Sequence, residues 1–184
     1  TGYYENEIIP PLGLIWKTKI GTSYAHPVIA NKTVFVGSQS GILYAINSDT
    51  GDIKWTFDLR ETNHTRRPIK SAPAIYKNII IINSWDNVIF ALDSVNGSLK
   101  WKYESKYPLL YGAHSGFFIN PSPTIYKGRV YIGLADGRIH AIDIETGEED
   151  WNFDTGEIIR STPAIYDDIL YIGSGAYLYA LDAE

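Results

Sequence analysis

The phrase LYAINSDTGDIKW at residues 43–55 returns, altered but in register, as IFALDSVNGSLKW at 89–101 and IHAIDIETGEEDW at 139–151. Self-similarity of this kind constrains a fold strongly, because each copy must be one supersecondary unit that buries its apolar face against the next. The copies share a wider frame. Pro27, Pro73, Pro123 and Pro163 sit in small-residue stretches, and Gly37, Asn83, Gly133 and Gly173 each follow ten residues later. Ala45, Ala91 and Ala141 come eight further on, with Ala180 after seven, and Trp55, Trp101 and Trp151 lie ten beyond the first three. Another Trp, Trp16, precedes the first Pro.

Each copy decodes into four short strands. Strand A follows the Pro, and a two-residue turn (Asn31-Lys32, Lys77-Asn78, Lys127-Gly128, Asp167-Asp168) leads into strand B, as tight hairpins require. Strand B (TVFVG, IIIIN, RVYIG, ILYIG) is rich in β-branched and aromatic residues, the types that suit a pleated, packed surface. Strand C is LYAIN and its relatives. The second turn (DTGD, VNGS, ETGE) puts Gly where positive φ is needed, and strand D carries the Trp. Antiparallel four-stranded units repeated at 40–50 residues define an all-β fold, a β-propeller of four blade-equivalents. Small residues on strand A (Ala25, Ser71, Ala72, Ala74, Ser122, Thr124, Thr162, Ala164) suit the crowded axis, and Trp16, Trp55, Trp101 and Trp151 are read as structural residues covering the wider rim, all four expected to be largely buried. A β-sandwich of short strands accounts for neither graded bulk nor repeated Trp.

The phrases VFVGSQSGILYAINSDTGDIKW and VYIGLADGRIHAIDIETGEEDW resemble the repeat of the PQQ-like β-propellers. That superfamily includes quinoprotein alcohol dehydrogenases and outer-membrane assembly scaffolds of the BamB kind. The resemblance covers residues 14–184, stands closer to the scaffolds, and rests on structural residues. It implies that each rim Trp docks on the neighbouring blade. In the dehydrogenases the quinone is implied to lie between a Trp and a vicinal disulfide, beside a calcium held by Glu, Asn and Asp. Here there is no Cys, and Trp85-Asp86-Asn87 is the one hint of the rest; no cofactor is expected.

The chain reads as a single unit over 1–184, with blade-repeats near 14–54, 55–100, 101–150 and 151–184. It starts inside a C–D turn and stops before one, so GLIWKTKI is a D strand without its C strand, and AYLYALDA a C strand without its D. Counted so, sixteen strands are expected, with the N-terminal strand completing the last blade or a partner's blade. The ring is then four-bladed in one chain, eight-bladed in two chains through strand exchange, or part of a longer propeller. The absence of Met implies a processed or excised product.

Composition narrows the function. A net charge of −5 lacks the basic excess of nucleic-acid binders. No run approaches the ~18 apolar residues of a membrane span. No nucleophile elbow, phosphate-cradling Gly loop or HExxH appears, so catalysis finds no support and no catalytic residue is assigned. The four histidines (His26, His64, His114, His140) lack metal-ligand spacing, and no metal is expected; they are read as ordinary loop residues. The acidic ETGEED at 145–150 is read as a solvated outer hairpin.

Extra length in an economical repeat is where binding residues collect. Two D–A loops are long, after Trp55 and after Trp101. The first offers Arg60, His64, Arg66, Arg67 and Lys70, with Lys70 aligned to Arg160: an anion-binding rim, or a solvated loop with local ion pairs to Asp58 and Glu61. The second carries Tyr107, Leu109, Leu110, Tyr111, His114, Phe117 and Phe118: an apolar patch for a partner, or a loop folded back on the neighbouring blade. The expected partner is a protein or peptide, acidic in character, or an anionic ligand. The expected setting is periplasmic, extracellular or cell-surface. Three sequons, at Asn31, Asn63 and Asn96, fall in turns or loops. The reading is a non-catalytic binding or scaffold module; the alternatives are a PQQ-dependent oxidoreductase domain and an extracellular sensor domain.

Overall fold

In the computed structural model, residues 13–62, 68–84, 88–110 and 121–184 are described. They form four antiparallel sheets, consecutive in sequence and each a simple meander. The first holds β1 (Val28–Ala30), β2 (Thr33–Gly37), β3 (Ile42–Asn47) and β4 (Ile53–Asp58); the second, β5 (Ala74–Tyr76), β6 (Ile79–Asn83), β7 (Val88–Asp93) and β8 (Leu99–Glu104). The third holds β9 (Thr124–Tyr126), β10 (Arg129–Gly133), β11 (Arg138–Asp143) and β12 (Glu149–Asp154). The fourth has three strands, β13 (Ala164–Tyr166), β14 (Ile169–Ser174) and β15 (Tyr177–Asp182). The single helical element among the described residues is a 3-10 turn, Leu59–Thr62. The architecture is an all-β arrangement of propeller blades.

The expected turns are present. Asn31 and Lys32 have φ of 47° and 54°, and Asp167 and Asp168 have 48° and 62°, the signature of a tight hairpin whose twist matches its strands. A cross-strand register shift recurs after Ala45, Ala91 and Ala141, a β-bulge that bends each outer strand.

Packing follows strand parity. On β6, Ile80 and Ile82 join the core shared with the first sheet, while Ile79 and Ile81 join the core shared with the third. A sheet covered on both faces has no polar side, which explains the unbroken IIII run. At the inner edge, small residues stitch neighbouring A strands together. Ala72 N donates to Ser122 Oγ at 3.0 Å, Ser122 N to Thr162 Oγ1 at 3.1 Å, and Thr124 Oγ1 to the Pro163 carbonyl at 2.7 Å.

The rim explains the recurring phrase. Gly51, Gly97 and Gly147 have φ of 78°, 76° and 77°, but backbone freedom is half of the reason for Gly. A methyl group there would stand 2.6–2.8 Å from the ring of Trp16, Trp55 or Trp101. Each Trp lies flat on the C–D turn of the next sheet. Its Nε1 donates to the carbonyl of Ser48 (2.9 Å), Ser94 (3.3 Å) or Ile144 (2.9 Å). Trp151 departs from this pattern: the equivalent carbonyl, Ala183, accepts the Tyr131 hydroxyl instead. Trp151 Nε1 is buried without a hydrogen-bond partner among the described residues.

Two expectations need correction. Fifteen strands are present among the described residues, because 13–20 form none. That segment lies on the first sheet through Trp16 and through Thr18 Oγ1, which donates to the Gly51 carbonyl at 2.5 Å, and a strand needs a neighbouring strand to exist. Pairing of 13–20 with β15 inside one chain is therefore not what the structure holds. The Trp burial is also shallower than expected: Trp101 is buried, but Trp16, Trp55 and Trp151 are half-buried. At the rim one ring face meets Gly while the outer edge meets water.

Candidate binding face

The D–A and B–C loops share one face, and backbone bonds tie them together. Leu59 N donates to Gly41 O (3.0 Å), Ile69 N to Ser38 O (3.0 Å), Leu110 N to Ala135 O (3.0 Å) and Thr155 N to Gly137 O (2.9 Å). Ile69 and Ile159, both fully buried, plug against Gly37 and Gly133, where any side chain would collide with them. Lys70 and Arg160 each follow one of these anchors, Lys70 half-buried and Arg160 exposed. The alignment of these two cations is thus structurally real.

His64, Arg66, Arg67, Tyr111, His114, Phe117 and Phe118 lie outside the described residues, as does Trp85-Asp86-Asn87. Where the first loop leaves β4, Arg60 Nε donates to Asp58 at 2.8 Å. The guanidinium hydrogen bond holds the Asp58 carboxyl below its ordinary range. The second loop folds back at its start: the Arg138 guanidinium lies 4.0 Å from the Tyr107 ring centroid, Asn152 Nδ2 donates to the Tyr107 hydroxyl at 3.3 Å, and Leu110 packs on Gly137. A guanidinium stacked on an aromatic face is a favourable, orienting contact. It fixes this loop on the third sheet.

Beneath that clamp is a polar network that motif reading missed. His140 is on strand β11 and fully buried, not a loop residue. Its Nε2 faces Asp136 Oδ2 at 2.9 Å and its Nδ1 faces Glu149 Oε1 at 2.8 Å, so each ring nitrogen stands within hydrogen-bond distance of a carboxylate. The Tyr103 hydroxyl donates to the same Glu149 oxygen at 2.9 Å, Ser105 Oγ donates to Asp136, and Lys106 Nζ lies 3.3 Å from Glu149 Oε2. Burial pushes the Asp136 carboxyl up, but the bonds from His140 and Ser105 pull it below its ordinary value. Glu149 is likewise held low against burial, by His140 and Tyr103. Burial and the Glu149 carboxylate push the Tyr103 phenol up. Glu149 also corrects the solvated reading of ETGEED, since it turns inward with a side chain 12% exposed. His140 and Asp136 are closed to solvent. The network joins Tyr103, Ser105 and Lys106, from the second sheet and its following loop, to the third sheet.

Stacking the repeats as columns would have found it. The residue before the recurring Ala is Tyr44, Phe90, His140 or Tyr179; the residue two before the rim Trp is Leu14, Ile53, Leu99 or Glu149. His and Glu break aromatic and apolar columns together.

Meandering four-stranded sheets, rim Trp residues seated on the Gly of the next turn, and small residues at the inner edge define the class as a PQQ-like β-propeller. The family model described as "Outer membrane protein assembly factor BamB" matches residues 13–184, and the chain belongs to that family. It is similar to BamB from Moraxella catarrhalis, with 25% identity and a TM-score of 0.71 over 87% of this chain and 46% of that one. It is similar in fold to the quinohemoprotein alcohol dehydrogenase of Comamonas testosteroni (21% identity, TM-score 0.70, covering 89% of this chain and 31% of that one). The computationally designed Ika4 also shares the fold (16% identity, TM-score 0.72, covering 91% and 95%). The chain spans less than half the length of the BamB it matches. No curated protein sequence matches it at a significant level.

Proposed function

We propose that the chain is a non-catalytic binding or scaffold module of an extracytoplasmic protein, recognising a protein, peptide or anionic ligand through the face that bears its long D–A loops. Membership of the BamB family supports the scaffold class at that coarse level. The observation that carries the finer reading is the anchoring of this face. Ile69 and Ile159 hold Lys70 and Arg160 at equivalent positions, and the Tyr107–Arg138 clamp roots the second loop beside them. Rigid roots under long loops are how a scaffold presents variable side chains.

The chain has no Cys for the disulfide that the quinoprotein reading implies, and Trp85-Asp86-Asn87, the one hint of its other residues, lies outside the described residues. Among the described residues no helix is long and apolar enough to cross a membrane. A periplasmic, extracellular or cell-surface setting is proposed from the family alone.

An acidic peptide carrying an apolar anchor is the partner to try first, with binding followed by fluorescence anisotropy at two salt concentrations. The double change Arg66→Ala with Arg67→Ala is expected to weaken binding at low salt and less at high salt, and Phe117→Ala at both. Normal binding by both folded variants would place the site elsewhere.

A further inference from the structure

We propose that Asn96, in the C–D turn of the second sheet, is the acceptor of an N-linked glycan. The inference rests on the extracytoplasmic setting proposed above, in which acceptor triplets on surface loops are read.

The first support is a comparison of the C–D turns of the first three sheets. Thr50 and Thr146 stand where Asn96 stands, Asp52 and Glu148 where Ser98 stands, and Asp49 and Glu145 where Val95 stands. The turn itself explains the Thr: Asp52 N donates to Thr50 Oγ1 at 3.3 Å, and Glu148 N to Thr146 Oγ1 at 3.2 Å. Asn96 does the same work, its Oδ1 accepting from Ser98 N at 2.9 Å. The turn has no need of Ser98, because an acidic residue closes it in the first and third sheets. Nor does it need Val95, which is 73% exposed at a position that is otherwise acidic. Three columns change together, and the change writes Asn-Gly-Ser, an acceptor triplet whose middle residue is not Pro.

The second support is the geometry of the triplet. Asn96 and Ser98 are exposed. The backbone holds Asn96 Oδ1, while Asn96 Nδ2 and Ser98 Oγ make no hydrogen bond among the described residues. The two groups that define the acceptor, a carboxamide nitrogen and a hydroxyl, are thus both open to solvent. The turn beneath them is fixed. Asp93 Oδ1 accepts from Val95 N at 2.8 Å and from Asn96 N at 3.2 Å, Gly97 N donates to the Asp93 carbonyl at 2.8 Å, and the Trp55 ring covers Gly97. The sheets on either side of this turn, the first and the third, are both present, so its exposure belongs to the propeller rim.

The third support is the contrast with Asn31. The hydroxyl of its triplet is on Thr33, which is 5% exposed. That hydroxyl donates to the Asn31 carbonyl at 3.3 Å and accepts from Lys54 Nζ at 2.6 Å. A transferase that reads the hydroxyl finds it buried and engaged at Asn31, and free at Asn96. Asn63 lies outside the described residues. Because strands alternate in direction, the C–D turns lie at the opposite end of each sheet from the D–A loops. A sugar on Asn96 therefore leaves the proposed binding face open, and it stands beside Val95, removing part of that side chain from water.

In the transfer, Asn96 Nδ2 attacks the anomeric carbon of an oligosaccharide carried on a lipid pyrophosphate. The C–N bond forms as the C–O bond to the pyrophosphate breaks, its electron pair leaving on the phosphate oxygen, and the Nδ2 proton passes to a base of the transferase. Nothing is oxidised or reduced, and this chain supplies the acceptor alone.

The test uses the full chain purified from the cells that make it, with its compartment established by fractionation. Intact glycopeptides are sequenced by mass spectrometry, which places the sugar directly and is not confused by spontaneous deamidation at Asn96-Gly97. Glycan on Asn96 with Asn31 bare is the expected result. Asn96→Thr, which takes the residue of the equivalent turns, and Ser98→Ala are each expected to abolish that glycopeptide without changing the circular dichroism spectrum, and Ser98→Thr to retain it. A bare Asn96 on an extracytoplasmic chain overturns the inference and leaves the proposed setting intact, whereas a chain confined to the cytoplasm overturns both. Glycan on Asn31 with Asn96 bare, or on Asn96 in the Ser98→Ala variant, overturns the reading of the triplet.

Discussion

The contact between the first and second sheets and the contact between the second and third use the same two positions and the same geometry, with opposite chemistry. Phe57 and Phe90 meet with ring centroids 5.9 Å apart at 60°, and Tyr103 and His140 meet at 5.6 Å and 59°. The first pair sits among Leu43, Ile80, Ile82 and Leu92. The second brings Asp136 and Glu149 with it. Blade packing thus specifies a shape, an edge-to-face ring pair, rather than a polarity. An apolar pair meets the shape alone, whereas a His meets it only if its ring nitrogens are satisfied. A buried charge pair is weak evidence for stability and stronger evidence for fixed register.

The largest expected effect comes from breaking one contact into the chemistry of the other. His140→Phe copies Phe90 into the third sheet but leaves two carboxylates buried without their partner. A loss of about 3–5 kcal/mol in urea unfolding is expected, as for other buried pairs deprived of one member. Removing the whole network should reverse it. Tyr103→Phe, His140→Phe and Glu149→Leu take the residues at the equivalent positions Phe57, Phe90 and Leu99 of the first contact, and Asp136→Ser takes Ser40 from the corresponding loop of the first sheet. That variant is expected within about 1 kcal/mol of the parent, or above it. If the single change is harmless, the network is not what holds the third sheet to the second.

How much of this contrast was legible beforehand depends on what a residue must do. Strands, turns and sheet order followed from Pro, Gly, Ala and Trp spacing, because each of those residues meets a local backbone or steric demand repeated four times. Gly51, Gly97 and Gly147 were legible as turn residues, but the seat they offer the preceding Trp is a contact more than thirty residues away in sequence, invisible to local reasoning. His140 and Glu149 were readable only as exceptions within columns, since neither belongs to a motif. The half-buried state of Trp16 and the missing strand at 13–20 depend on what lies beside them in space, which spacing along one chain does not encode.

A smaller effect separates the two contacts by pH. Asp136 and Glu149 are held below their ordinary carboxyl values in the folded chain. A depressed carboxyl contributes stability above its unfolded value and loses it as pH falls through the folded one. The reference values are 3.8 for Asp and 4.5 for Glu, so the contribution is complete near neutrality and fades below about pH 4.5. The parent should therefore lose stability more steeply than the fourfold variant in urea titrations between pH 5 and roughly 3. Parallel curves would mean that the network's carboxylates stay protonated or paired in both states alike. Asp58 and Asp168 are also held low, but they remain in both proteins and cancel in the difference.

The smallest expected effect lies at the edge of the network, where the same charge chemistry meets water. Lys106 Nζ lies 3.3 Å from Glu149 Oε2, yet its side chain is 69% exposed. Exposed pairs of this kind are worth about 0–1 kcal/mol and are screened by salt. Lys106→Met keeps the aliphatic stem and removes the charge, so the loss should stay below about 1 kcal/mol and shrink further in half-molar salt. Tyr103→Phe removes a hydroxyl that donates to the same carboxylate from a half-buried position. Its loss should be larger, about 1.5–3 kcal/mol, and should persist at that salt concentration, because a hydrogen bond to a charged group shielded from water is not screened by mobile ions. Measuring both at low and high salt separates the part of the contact that solvent reaches from the part it does not. If Lys106→Met proved as costly as Tyr103→Phe and equally indifferent to salt, the boundary of the buried network would have to be drawn outward to include the ammonium. The second long loop, which carries Lys106 and Tyr107, would then be held to the third sheet by charge as well as by the stacked Arg138.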